Sequence, residues 1–345
     1  MSDPFYEKIH ALYEAQHLPS HDELFKIADR TASVLDAGDE SYCPPSRNGK
    51  PGSLLDFTKL PELPLVVVPD IHARVYFLLN VLDFVPPAGF LDKSLGGKSV
   101  LEALELGAVR IVCVGDALHA EQRARERWLE ALQDFENGIF DGKPMREEME
   151  EGLTLLELIM ACKCRFPAAF HFLKGNHENI TNKYGGGDFP FRKFADEGEM
   201  VLRFMRRVYG DDVLHVVSYC EDILPLIAAF PGCVVSHAEP RRAFSRDELI
   251  NARQSADVVA GLTWTENEGA EQGSVKAIIG ELLGAGASGH AVYLAGHRPV
   301  PGKYALRQDG LFIQFHNTEM QNVALVSPGK KFDPESDIMP VVDDY

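Results

Sequence analysis

The chain has 345 residues, with 34 Lys and Arg against 52 Asp and Glu, a formal net charge of −18 and a pI of about 5.1. With 45% hydrophobic and 25% charged residues it has the composition of an ordinary globular protein, which excludes disordered, collagenous and coiled-coil classes, and its length suits one large or two ordinary domains. So acidic a chain repels phosphate backbones and anionic lipid; an extended nucleic-acid surface and a membrane surface are excluded, and any phosphate must be held in a locally positive pocket.

From the N-terminus, Met1-Ser2-Asp3-Pro4-Phe5 has no basic segment leading into an apolar one, and no apolar run approaches the roughly 18 residues of a membrane span. Amphipathic patterns predict helices near 5–15 and 22–35, followed by a polar, Pro- and Gly-containing loop over 37–52. Residues 1–60 therefore read as a helical extension and linker. From 61 to 330, short apolar β-branched runs alternate with helical stretches, the pattern of an α/β domain. Strands are predicted at 63–68, 109–114, 170–173, 233–235, 291–294 and 311–315, and helices at 75–83, 121–136, 145–162 and 197–208. Residues 331–345, acidic and with Pro334 and Pro340, read as a tail. The six cysteines form no CxxC pair, and Cys162-Lys163-Cys164 has no second pair nearby, so structural, reduced cysteines and a cytoplasmic chain are expected.

Five predicted strands run directly into chemistry-bearing residues. Leu65-Val66-Val67-Val68 is followed by Pro69-Asp70-Ile71-His72, Ile111-Val112-Cys113-Val114 by Gly115-Asp116, and Phe172-Leu173-Lys174 by Gly175-Asn176-His177-Glu178. Val234-Val235-Ser236 leads to His237, and Tyr293-Leu294-Ala295 to Gly296-His297-Arg298. Groups just beyond the carboxyl ends of strands in an open α/β sheet gather in one crevice. Asp70, His72, Asp116, Asn176, His177, His237 and His297 can therefore meet. Carboxylate, amide and imidazole donors without thiolates suit Mn²⁺, Fe²⁺ or Zn²⁺ in an open site rather than structural zinc. Six ligands exceed what one catalytic ion needs, whereas two ions about 3.5–4 Å apart and bridged by a carboxylate fit them, with phosphoester hydrolysis as the reaction class.

The ordered set Asp-x-His, Gly-Asp, Gly-Asn-His-Glu, His and Gly-His resembles the calcineurin-like metallophosphoesterase superfamily. Phe170-His171-Phe172-Leu173-Lys174-Gly175-Asn176-His177-Glu178 with Tyr184-Gly185, and Leu262-Thr263-Trp264-Thr265-Glu266, resemble its phosphoprotein phosphatase branch of serine/threonine phosphatases and diadenosine tetraphosphatase. The resemblance spans roughly 62–327. It implies a four-layer αββα sandwich and two divalent ions, manganese first and iron or zinc as alternatives. Asp70, His72 and Asp116 would hold one ion; Asp116, Asn176, His237 and His297 would hold the other. A hydroxide held between the ions would attack phosphorus, with His177 protonating or stabilising the leaving oxygen. The implied activity is that of a phosphomonoesterase on a phosphoprotein or small phosphoester. The alternatives are a nucleotide hydrolase of diadenosine polyphosphate or cyclic nucleotide type, or a degenerate metal-binding scaffold. No oligomeric state is implied.

The second block departs from the family's Gly-Asp-x-x-Asp-Arg-Gly, reading Gly115-Asp116-Ala117-Leu118-His119-Ala120-Glu121. His119 stands where an Asp orients the catalytic histidine, and a neutral imidazole supplies only part of that role. Ala120 stands where an Arg clamps phosphate, and no arginine lies between Trp264 and His297. Arg74 and Arg298, each next to a ligand block, are the expected replacements, with Arg123 behind them. Lys174 reads equally as a strand-end residue and a phosphate contact, and Trp264 as a packing anchor. The remaining histidines, His316 among them, read as core or surface residues, although His316 follows the 311–315 strand and can approach the crevice.

Overall fold

The computed structural model describes residues 4–15 and 17–342. Among the described residues, eleven strands form two sheets. In chain order they are β1 (Leu54–Asp56), β2 (Leu65–Val68), β3 (Arg110–Cys113), β4 (Phe170–Phe172), β5 (Ile227–Phe230), β6 (Cys233–Ser236), β7 (Val292–Ala295), β8 (Ala305–Arg307), β9 (Phe312–Gln314), β10 (Asn322–Val326) and β11 (Ile338–Pro340). The five-stranded sheet runs β11-β10-β2-β3-β4 and the six-stranded sheet β1-β5-β6-β7-β9-β8. Parallel pairing of β2, β3 and β4, and of β6, β7 and β9, sends two sets of carboxyl ends toward the crevice.

Successive strand residues point to opposite faces, and here both faces are covered. Leu65, Val67, Val112 and Val114 meet Val235, Leu294 and Ile313 in the core between the sheets. Their neighbours Val66, Val68, Ile111 and Cys113 face helices on one outer side, and Val234, Tyr293 and Phe312 face helices on the other. Continuous apolar strands buried on both faces are the signature of this layering. The expected four-layer αββα sandwich is the observed fold.

Helices Val75–Asp83, Lys143–Arg165 and Glu197–Val208 cover the five-stranded sheet, and Ala256–Thr263 and Ser274–Leu283 cover the other. The N-terminal segment contributes to both layers. Helix His21–Ala37 starts at a capping box in which Ser20 accepts from the Glu23 N–H and the Glu23 carboxylate accepts from the Ser20 N–H. It packs Leu24 and Ala28 into the core with helices Lys143–Arg165 and Gly210–Ile223. β1 then lies on the edge of the six-stranded sheet, paired with β5, so residues 1–60 are more than a helical preface and linker. Nor do residues 331–342 form a tail. Pro334–Asp337 is a short helix and β11 extends the five-stranded sheet antiparallel to β10, because Ile338 has an apolar place in the inter-sheet core. Among the described residues, no helix is long and apolar enough to cross a membrane.

Leu24 is fully buried although the sequence pattern places it outside the α/β domain. Leu24→Ala is expected to cost about 2–4 kcal/mol, the usual range for a buried leucine, read from the urea unfolding midpoint. A change within about 0.5 kcal/mol would show that this helix is not part of the cooperative unit.

Candidate metal centre

The predicted ligand residues come together at the carboxyl ends of the parallel strands. Asp70 and Asp116 are 0% and 1% exposed, and with His237 they bring one ligand atom each within 4.8 Å of one another. Asp116 is central. Its Oδ2 lies 3.5 Å from His72 Nε2, 3.6 Å from His237 Nε2 and 3.9 Å from His177 Nε2, while its Oδ1 accepts the His177 backbone N–H at 3.0 Å.

The histidine tautomers are set by backbone. His72 Nδ1 donates to the carbonyls of Leu118 (3.3 Å) and His119 (3.1 Å), and His237 Nδ1 donates to Val114 O at 3.2 Å. Both Nε2 atoms are thereby left as lone pairs facing the crevice. His237 Nε2, Asn176 Oδ1 and His297 Nδ1 stand 2.9, 2.9 and 3.2 Å from one another. Ligands about 2.1 Å from a single ion are separated by roughly this much. His297 Nε2 has no hydrogen-bond partner among the described residues.

Close backbone approach explains the glycines before Asn176 and His297. A Cβ on Gly296 would collide with the Asp70 carboxylate and one on Gly175 with that of Asp116. The His297 N–H donates to both oxygens of Asp70 at 3.0 Å. Glu178 fixes the other two loops, its carboxylate accepting from the N–H groups of Gly175 (2.6 Å), Asp116 (2.9 Å) and Ala117 (2.8 Å). His72, Asp116, His119, Glu121 and His297 all have φ between 50° and 74°. Left-handed backbone at non-glycine residues costs of order 1–3 kcal/mol each and persists where the surroundings over-determine it.

Burial sets the charge balance. It pushes His72 down to about 3, and it likewise lowers His177, His237 and His297. These rings are neutral at pH 7. Burial, then the nearby carboxylates of Glu178 and Asp70, pushes the Asp116 carboxyl well above its usual range. Anionic and neutral donors without a compensating cation among them match divalent ions at this place.

The remaining predicted residues are distributed differently. His177 packs on Phe191 with ring centroids 4.7 Å apart, and its Nδ1 is buried and unpartnered among the described residues. His119 lies beside it, ring centroids 5.1 Å apart, with no hydrogen bond between the two rings. Instead His119 Nδ1 accepts the Glu121 N–H at 3.2 Å, its Nε2 is 3.6 Å from Glu197 Oε1, and its ring stacks on Trp128. Its contact with His177 is packing. Arg74 is not a phosphate clamp. It is 4% exposed, and its guanidinium donates to the carbonyls of Ile71, Asp70 and Asn317. Those bonds satisfy turn carbonyls that would otherwise be orphaned. Arg123 is likewise committed, to Ala120 O, Ala73 O and Glu151. Arg298 remains partly exposed and pairs with Glu266, in the segment that follows Trp264. Lys174 is a buried strut, donating to Glu178 O at 2.6 Å and lying 3.2 Å from Asp188.

Sequence reasoning missed Glu121 in this crevice and read His316 as a core or surface residue able to approach it. Glu121 and His316 are 6% and 0% exposed and face His72 and Asp70. His316 follows β9, so the rule that found the other ligands applies to it as well.

No protein-family model matches the chain, and no curated protein does. Among solved structures it is similar to a protein serine/threonine phosphatase from Saccharomyces cerevisiae with similarity to human phosphatase PP5, at 13% identity and a TM-score of 0.60 over 98% of this chain and 95% of that one. A cold-active protein-tyrosine phosphatase of a psychrophile Shewanella species matches at 14% identity and a TM-score of 0.42 over 80% and 78%. A putative diadenosine tetraphosphatase matches at 15% and 0.37 over 84% and 98%. The first likeness assigns the fold, that of a phosphoesterase α/β sandwich.

A carboxyl with a raised pKa must release its proton before it can hold an ion, so binding strengthens as pH rises; histidines already neutral contribute no such release. Mn²⁺ binding is therefore expected to liberate protons and to tighten as pH rises above the ordinary carboxylate range. Calorimetry in two buffers of different ionisation enthalpy measures the release. Binding independent of pH would remove Asp116 as the controlling group.

Proposed function

We propose that the chain is a phosphoesterase dependent on two divalent ions, and within that class a phosphomonoesterase acting on phosphoprotein or small phosphoesters. The reading rests on one observation. Six oxygen and imidazole donors and His177, drawn from residues 70–297, line one crevice on a fold similar to that of a protein serine/threonine phosphatase. Asp70 and His72 would hold one ion, Asn176, His237 and His297 the other, and Asp116, facing both groups, would bridge them. When bound, the ions supply Lewis acidity and an acidified water for in-line displacement at phosphorus. Manganese is our first assignment because the donor set is rich in oxygen and lacks thiolate. The six free cysteines fit a reducing, cytoplasmic setting.

The side chains supply orientation and hydrogen bonding. His177 is fixed by its backbone bond to Asp116 and by Phe191. Burial first, then His119 and His72, lowers its pKa, so it enters as a neutral ring whose N–H can steady the leaving oxygen. His119 supports it by packing and is itself stacked on Trp128. Arg298 is a partly exposed cation beside the His297 loop, and we assign it to substrate phosphate.

Metal-stripped protein is expected to be inactive on p-nitrophenyl phosphate and bis-p-nitrophenyl phosphate, and to recover monoesterase activity when Mn²⁺ is returned. Recovery on the diester alone would reassign it to diester or nucleotide chemistry. Two bound ions with no turnover of either would make it a scaffold. His177→Ala should retain both ions and lose roughly 10²–10⁴-fold in kcat; full activity would remove His177 from the mechanism.

A further inference from the structure

The loop after Asp116 turns a carboxylate inward where the resembled family has a glycine. Glu121 Oε1 is 3.7 Å from His72 Nε2, and Oε2 is 3.4 Å from His316 Nε2. The ligand atoms of His72, Glu121 and His316 all lie within 4.8 Å of one another. His72 Nε2 is a lone pair, because its Nδ1 donates to backbone. The His316 ring has no exposure, and neither of its nitrogens has a hydrogen-bond partner among the described residues. Its Nδ1 faces Asp70 Oδ2 at 3.6 Å while its Nε2 faces Glu121.

A neutral imidazole between two carboxylates can donate to only one of them, which leaves a lone pair directed at the other. A cation among His72 Nε2, Glu121 and His316 Nε2 resolves that conflict. It also frees His316 Nδ1 to donate to Asp70, the carboxylate–histidine–metal arrangement that orients metal-bound imidazoles. The only side-chain cation paired with Glu121 among the described residues is Lys193, whose Nζ lies 3.1 Å from Oε1 and whose side chain is 39% exposed. Lys193 reaches Glu121 from outside.

We propose that Glu121 and His316 are additional ligands of the divalent ion held by His72 and Asp116, so that the two ions sit in unequal ligand sets. The proposal rests on the binuclear reading above. Glu121 then brings negative charge to that ion, and the loop serves metal retention at a place where the resembled family's loop carries a phosphate-clamping arginine one residue earlier.

The test counts Mn²⁺ bound to the full-length protein by equilibrium dialysis with elemental analysis, alongside circular dichroism of each variant. Wild type should bind two equivalents. Glu121→Gln and His316→Gln, both close to the native size, should each lose one equivalent or weaken it at least about tenfold, while Asn176→Ala should weaken the other. Combining Glu121→Gln with Asn176→Ala should leave neither ion firmly bound. If both single variants keep two equivalents at wild-type affinity, His316 merely bridges the carboxylates by hydrogen bonds; the proposal fails and the binuclear reading stands. If wild type itself binds no Mn²⁺, both fail.

Discussion

Three carboxylates, Asp70, Asp116 and Glu121, are buried in one crevice among imidazoles, and this need for positive charge organises everything around it. Removing an ion from water costs several kcal/mol even after relaxation, and the neighbouring His72, His177, His237 and His297 rings are neutral and cannot repay that cost. Divalent ions can. On the proposed reading, positive charge in this crevice would be concentrated in ions rather than in guanidinium groups.

Two parallel strand sets aim their carboxyl ends at the same place, and the ligand loops then meet without side chains intervening. Gly175 and Gly296 allow backbone to touch the ligand carboxylates, and Glu178 pins three N–H groups from two loops with one side chain. Left-handed residues at His72, Asp116 and His297 show that local backbone preference yields to this convergence. The buried sheets on either side supply the rigidity that makes the yield affordable.

The altered second block is one coherent replacement rather than three independent losses. His119 has the Glu197 carboxylate 3.6 Å from its Nε2, so negative charge lies near that corner from another helix. Ala120 donates its N–H to Glu148, which Arg127 holds. Glu121 turns toward His72 and His316, with Lys193 behind it. A loop that elsewhere presents an arginine to phosphate here presents a carboxylate to the metal side. Arg74, despite its position beside Asp70 and His72, is consumed by turn carbonyls.

The sequence alone determined the layering and most of the residues that gather in the crevice. Apolar β-branched runs ending in Asp, Asn or His declare both a doubly covered strand and its functional end, and that signal is local. β5, β8, β10 and β11 escaped because their ends carry no such residue and some are only three residues long; β1 and β11 lie on sheet edges where pairing, not pattern, makes the strand. Tertiary structure alone decided where each cation is bound. Arg74 and Arg298 look alike in the chain, each one or two residues from a ligand, yet one is buried against carbonyls and the other reaches Glu266 at the surface. It also decided that Glu121 and His316, 195 positions apart in the numbering, share a space. Periodicity reports which face a residue occupies, but the partner that satisfies a buried charge is chosen by three-dimensional packing.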